Sequence, residues 1–522
     1  MPESPALGID LGTTFSVISQ VTAAGLPQVL PNAEGSPTTP SVVLFDAGTA
    51  VVGAVARESL ATDPESVVQL VKRQMGSQWT FDYRGTCFRP EHISALILRK
   101  LHQDAQQLAG PVSQAVITVP AYFNDPMRSA TRRAGELAGL EVLGLLSEPT
   151  AAALAFGYDK RPSGVTGIVL DLGGGTFDVT VMDYDGHDLS VRATGGDSYL
   201  GGANFDKILF DYFVEQFRSA HGLDINDPRA LSLEECTQVS QDWLMRATRV
   251  KHDLTARERT TAHLQAAGLT LRVEVRRETF LERSRVLLDE ITEKILSVVA
   301  EAGVLPKDIG VVLAVGGSTR IPAVRARMHD IFGVAPDTSV RPDEAVALGA
   351  ALFAAQRQLE RGGSPVMDPG ARAYLERLTV TDVAAHTVGV SVIDPRIDAR
   401  GHPVMAPMLP RNTALPFEAE CSFFTIRPSE TRIVVPILEG EDSDPALCRR
   451  VGEVIVDGLP PGRPAHQQVI VTIRLDRDGI LQVSATDVAT GAAAATTIVH
   501  ADQDRPDEDA AADRAVRSVI VE

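Results

Sequence analysis

The chain has 522 residues, and 49 Lys and Arg against 68 Asp and Glu give it a formal net charge of −19. That acidic balance argues against nucleic acid as a partner, and 44% apolar residues over a length of about three domains exclude a disordered chain or a disulfide-stapled miniprotein. Cys87, Cys236, Cys421 and Cys448 show no CxxC spacing, which fits a reducing cytoplasm; no stretch reaches the ~18 apolar residues of a membrane helix and the start has no signal-peptide pattern, so neither export nor membrane insertion is expected.

The first predicted element is a short apolar strand at 6–9 that breaks into Asp10-Leu11-Gly12-Thr13-Thr14. A helix is predicted at 93–108 and a strand at 115–119, which Pro120 ends. The opening then recurs, because residues 167–170 form a strand that breaks into Asp171-Leu172-Gly173-Gly174-Gly175-Thr176-Phe177-Asp178, an offset of 171 − 10 = 161 residues. Repetition at that spacing predicts duplicated α/β halves, residues 1–165 and 166–365, enclosing a cleft. A third strand, Val311–Val315, enters Gly316-Gly317-Ser318-Thr319-Arg320, and an alanine-rich helix follows at 343–359. Helical periodicity stops after Gly362-Gly363-Ser364-Pro365, and 366–383 reads as a linker. Short β runs at 388–393, 422–426, 432–438 and 452–456, and a hairpin of 469–475 with 480–484, predict an all-β domain over 384–501. The acidic, alanine-rich residues 502–522 read as a frayed tail.

A glycine turn at a strand end leaves backbone N–H groups uncovered, a nest for phosphate oxygens to which Thr13, Thr14 and Thr176 add hydroxyls. Two facing turns of this kind clamp a polyphosphate, and Asp10, Asp171 and Asp178 would then hold hydrated Mg²⁺. The third turn offers flat glycine backbone to a nucleobase, with Arg320 stacking on or bordering the ring. None of the three is a Walker loop or a GxGxxG turn, which excludes P-loop NTPases and Rossmann dehydrogenases as the first reading.

Six motifs in order, Ile9-Asp10-Leu11-Gly12-Thr13-Thr14, Val119-Pro120-Ala121-Tyr122-Phe123-Asn124-Asp125, Glu148-Pro149-Thr150-Ala151-Ala152-Ala153-Leu154, 171–178, 316–322 and Arg341-Pro342-Asp343-Glu344-Ala345-Val346-Ala347, resemble the 70-kDa heat-shock protein family of the bacterial DnaK type. The resemblance covers nearly the whole chain. It implies an α/β actin-like ATPase domain of two duplicated, RNase H-like lobes, followed by an all-β sandwich that binds peptide. The implied function is that of an ATP-dependent chaperone, an ATPase with ATP/ADP and Mg²⁺ as cofactors. Unfolded or extended polypeptides would be its clients, and J-domain and nucleotide-exchange co-chaperones further partners. A nucleotide-sensing regulatory module with little hydrolysis, or a small-molecule kinase of the same superfamily, are the alternatives. By the same resemblance Lys72 faces the γ-phosphate, Glu148 orders the attacking water, and Thr176, Thr13 and Asp171 complete the catalytic set. Gly12, Thr14, Gly173, Gly174, Gly175, Gly201 and Gly202 would line the phosphates, and Glu293, Gly316, Gly317, Ser318, Arg320 and Asp343 the adenosine end. Pro120, Arg128 and Asp382 would couple the domains, and Val390, Val392, Phe423, Ile433 and Val435 line a peptide groove.

Departures from the family pattern carry expectations of their own. Glu293 is followed one turn on by Leu296 where a lysine is the pattern, Gly201-Gly202-Ala203-Asn204 loses two acids, and the flap between Gly76 and His92 is short. The linker Leu378-Thr379-Val380-Thr381-Asp382 keeps only alternate apolar residues, and Leu143-Gly144 stands where a Lys-Arg pair would face it. Weak or rewired interdomain docking is therefore expected, and the helical lid of the family is not seen.

Overall fold

Apolar from Leu7 to Ile9, the strand Leu7–Asp10 has its first three residues buried and sits within a six-stranded mixed sheet. It runs parallel to Gln114–Val119, which is parallel to Glu141–Ser147, and antiparallel to Phe15–Val21. The structure is a computed structural model that describes residues 4–497 and 506–522, except 47, 61, 226, 228–230, 338, 340 and 394–400. The second copy repeats the plan: Ser163–Leu172 runs parallel to Val311–Val315 and antiparallel to Phe177–Asp185, with Asp188–Asp197 beyond. In both copies the glycine turn joins the central strand to its antiparallel neighbour. We call the unit on the first sheet lobe I and that on the second lobe II.

Two small-residue helices join the lobes. Ala345–Glu360 lies across Glu148–Lys160, and their alanines share a core with Val116 and Leu143 of lobe I and Val169 and Met182 of lobe II. The approach is so close that a methyl on Gly349 would overlap the Ala151 carbonyl. Gly349→Ala should therefore lower stability by ~1–3 kcal/mol through overpacking, read as a lower urea midpoint; an unchanged midpoint would contradict this crossing.

The C-terminal strands form two four-stranded antiparallel sheets around one core. One has the order Pro403–Leu409, Val388–Ile393, Ile433–Glu439, Arg449–Val456, and the other Phe417–Phe424, Gln468–Leu475, Leu481–Asp487, Ala493–Thr497. Alternation places Val469, Val471, Ile473 and Leu475 inside, as their spacing predicts. The predicted strand at 422–426 instead runs from Phe417 to Phe424, because Phe417, Ala419 and Cys421 continue the pairing with Gln468–Leu475.

Of the expected weak or rewired docking, the rewired form is what is seen, and the expectation for the tail is corrected. The linker docks: Thr379–Thr381 adds a parallel strand to Asp188–Asp197, with Leu378 buried below it. Main-chain pairing needs no leucine run, so alternate apolar residues suffice. The space over Gly144 is filled by the Asp478 carboxylate, 3.0 Å from the position a Cβ would take, and Asp478 pairs with Arg132 instead. The tail is not frayed. Among its described residues, Pro506–Ser518 is a helix on lobe I and Ile520–Val521 pairs in parallel with Thr49–Val52. Ala512 and Val516, four residues apart, and Val521 enter the lobe I core beside Phe45 and Phe88. Asp509 meets Arg89 at 2.9 Å, and Asp513 meets both His92 at 3.0 Å and Arg133 at 3.1 Å. Acidic composition concealed an amphipathic helix matched to a basic face. The short flap remains as the hairpin Phe81–Tyr83 and Thr86–Phe88, whose aromatic rings surround Phe45.

Candidate nucleotide cleft and its coupling to the sandwich

The repeated strand-turn-strand units bring the two glycine turns face to face. Thr14 lies against Gly174, and a methyl on Gly175 would stand 2.6 Å from Thr13 Cγ2. Within lobe II the turn is held from behind by the helix Gly202–His221, since Gly202 N donates to Gly173 O at 2.9 Å and Ala203 N to Gly174 O at 2.7 Å. Gly201 is crowded there, a Cβ falling 2.7 Å from Gly175 N. Asn204, in place of an acid, accepts from Gly201 N at 2.9 Å and closes the helix start. Lys251, not singled out from sequence, donates to Gly202 O at 3.0 Å and to Asp206 at 2.9 Å, fixing the same helix.

Carboxylates gather beneath the turns. Asp10 ends its strand, Asp171 and Asp178 are directly paired neighbours across their hairpin, and Glu148 begins the helix Glu148–Lys160. Lys72, on the short turn Val71–Gln74, is buried and forms an ion pair with Glu148. Burial, with Glu148 nearby and Lys72 opposing, raises the Asp10 carboxyl to about 7. Burial and then Glu148 push Asp171 and Asp178 well above the ordinary carboxylate range. One lysine cannot neutralise this many buried acids, and a cation would relieve them. Among the described residues no three acidic, His or Cys side chains are arranged to hold a metal directly; the buried carboxylates of Asp10, Asp171 and Asp178 are oxygen donors of the kind that suits a hydrated Mg²⁺. Asp178 also braces the turn after Pro120, since its Oδ1 accepts from Ala121 N at 2.7 Å while its Oδ2 is buried without a partner.

Sequence reasoning singled out Lys72 and passed over Arg73 beside it. Arg73 reaches across the cleft from lobe I, its Nε and Nη2 donating to Gly175 O at 3.0 and 2.7 Å. It ties the lobes at the second glycine turn.

At the other end, Gly316 takes φ +80° and would otherwise press a Cβ onto Asp171 Oδ1 at 2.7 Å. Ser318 Oγ donates to Gly173 O at 2.8 Å, linking the third turn to the second. Arg320 pairs with Asp343 on the surface, and Gly317 lies beside the same aspartate. Glu293 is exposed with Leu296 one turn on, also exposed.

Pro120 and the residues after it touch both halves of the molecule. Ala121 N reaches Asp178 in the cleft, while Tyr122 O accepts from His386 Nε2 of the sandwich side at 2.8 Å. Arg128 donates to Phe123 O at 2.8 Å, Ala121 O at 3.3 Å and, across the interface, Asp478 O at 3.1 Å. Asp125 accepts from Leu481 N at 2.7 Å. Asp382 closes the linker, accepting from Val383 N at its side chain and from Leu415 N at its carbonyl. Arg411 of the sandwich reaches lobe II, donating to Thr194 O at 2.8 Å and pairing with Glu301 at 3.1 Å. In the sandwich Val390 and Val435 are core residues, whereas Val392, Phe423 and Ile433 are half-buried.

The family model described as "Hsp70 protein" matches residues 6–83 and 78–518. The chain belongs to the Hsp70 family. Within that family it is similar to "Chaperone protein DnaK" of Thermotoga neapolitana and of Thermosipho africanus, each 37% identical over 494 and 493 residues, and to that of Thermosipho melanesiensis, 36% identical over 493. Each alignment spans 93% of this chain and 78% of the relative.

Proposed function

We propose that this Hsp70 chain is an ATP-dependent molecular chaperone whose cleft hydrolyses ATP and whose sandwich holds extended apolar segments of unfolded polypeptides. Two facing glycine turns over a buried acid cluster with a paired Lys72 and Glu148 carry the reading. The architecture is that of an actin-like ATPase domain, residues 1–165 and 166–365, joined through 366–383 to a sandwich over 384–501. Residues 506–522 then belong with lobe I rather than with a tail.

The backbone N–H groups of 11–14 and 174–176 and the hydroxyls of Thr13, Thr14 and Thr176 are suited to hold phosphates, while Gly173 N closes its own turn on Thr176 O at 3.0 Å. Lys72 supplies positive charge where negative charge grows on the transferred group, and Glu148 orients water and receives its proton. Mg²⁺, when bound, neutralises phosphate charge, with Asp10, Asp171 and Asp178 as its holders through water. Arg73 keeps the lobes registered on each other. Arg320, Asp343, Ser318, Gly316 and Gly317 border the adenosine end, with Glu293 opposite.

Coupling runs through the segment after Pro120, because one end of it contacts Asp178 and the other the sandwich. Val392, Phe423 and Ile433 are the groove residues of this reading, with Val390 and Val435 as their support. Four unpaired cysteines agree with a cytoplasmic setting, and J-domain and nucleotide-exchange proteins complete the proposed partners. Steady-state ATP hydrolysis by the full chain, with and without an unfolded apolar peptide, tests the proposal. Hydrolysis that rises with peptide is expected, and absence of hydrolysis would refute it. Ile433→Phe should weaken peptide binding with an unchanged circular dichroism spectrum; unchanged affinity would move the groove elsewhere.

A further inference from the structure

The two lobes are joined in two different ways. At the helix pair Glu148–Lys160 and Ala345–Glu360 the join is a close-packed apolar core, which does not open in small steps. At the glycine turns it is polar and local. Arg73 lies on lobe I, and its Nε at 3.0 Å and Nη2 at 2.7 Å both donate to one acceptor on lobe II, Gly175 O. We propose that Arg73 is a latch on the cleft, a positioning residue that sets how long a bound nucleotide stays by holding the second glycine turn against the first. The inference rests on the reading of the cleft as a nucleotide site and adds the group that regulates release from it.

Both sides of the contact are prepared by the chain. Arg73 shares the short turn Val71–Gln74 with Lys72, and the two side chains diverge, Lys72 to Glu148 in the acid cluster and Arg73 across to lobe II. Leu70, just before the turn, is held at φ +57°, a left-handed conformation unfavourable for leucine, and Arg73 N closes the turn on Leu70 O at 3.1 Å. On lobe II the carbonyl can be reached because residue 175 is a glycine, since a Cβ there would stand 2.7 Å from Arg73 Nε. Thr14 lies against Gly174 and Thr13 against Gly175, so the turns are in contact. A nucleotide whose phosphates both turns hold leaves when they part, and parting them breaks the bonds of Arg73 to Gly175 O while the helix pair stays packed.

The side chain nearest the arginine on lobe II is neutral. Asn204 Oδ1 stands 3.5 Å from Arg73 Nη2 and accepts from Gly201 N at 2.9 Å. The arginine therefore grips lobe II through a carbonyl and a distant amide, not through an ion pair. Asn204→Asp would supply the missing charge and keep the helix start, because Asp caps a helix as well as Asn does.

Release of fluorescently labelled ADP with Mg²⁺ from the full chain, chased with excess unlabelled ADP, is the test. Arg73→Ala should release ADP about tenfold faster, the loss expected for hydrogen bonds from a charged donor. Arg73→Lys, with one nitrogen in place of two, should fall between. Asn204→Asp should slow release about threefold at low salt and less at high salt. The double variant separates the latch from other effects, because Asn204→Asp should slow release only where Arg73 is present. If Arg73→Ala does not fold, the slowing by Asn204→Asp and its decline with salt decide. Native-like release in Arg73→Ala, or an effect of Asn204→Asp that is the same with and without Arg73, would overturn the latch and leave the nucleotide site standing. A native chain that binds no ADP would overturn the reading of the cleft and the latch with it.

Discussion

Lys72→Ala is expected to bind ATP yet hydrolyse it at least ~10²-fold more slowly, the loss typical of removing a preorganised charge stabiliser. The reason is local. Lys72 is the cation paired within a buried acid cluster, so its removal leaves Glu148 without its partner beside Asp10 and Asp171. Single-turnover hydrolysis measured at saturating ATP separates this from weaker binding. A turnover like that of the native chain would remove Lys72 from the chemistry and with it the role given to Glu148. Some loss of stability is expected alongside, because an uncompensated buried charge is costly.

Ending the chain after residue 505 should destabilise lobe I in particular. The segment removed contributes Val516 and Val521 to its core, each worth ~1.5–3 kcal/mol of burial, together with the edge pairing to Thr49–Val52. Ordering of the helix opposes part of this, so a net loss of a few kcal/mol is expected, seen as a melting temperature lower by several degrees. Val516→Asp should reproduce most of the effect in a chain of full length. If both leave the melting temperature unchanged, the helix Pro506–Ser518 does not belong to the lobe I core.

Much of the cleft was legible because its signals are local. A strand that breaks into glycine and threonine needs no tertiary knowledge to suggest a phosphate nest, and the second copy at 171–178 located the facing turn. What escaped depends on partners distant in sequence. Arg73 acquires its role only where Gly175 O lies across the cleft, and Lys251 only where Gly202 does. The terminal helix was missed because acidic composition outweighed the four-residue spacing of Ala512 and Val516. Linker docking does not show in the leucine content of 378–382, because the pairing with Asp188–Asp197 is made by main chain.

Under the proposed function, nucleotide in the cleft governs the sandwich through the linker strand and the segment from Pro120 to Asp125. Ligands shift such an equilibrium only by their differential affinity for docked and undocked states. Peptide release from the full chain, measured once with Mg·ADP and once with Mg·ATP, tests it most directly. A coupling of ~1–3 kcal/mol predicts release about 5–150-fold faster with ATP, whereas equal rates with the two nucleotides would contradict the account.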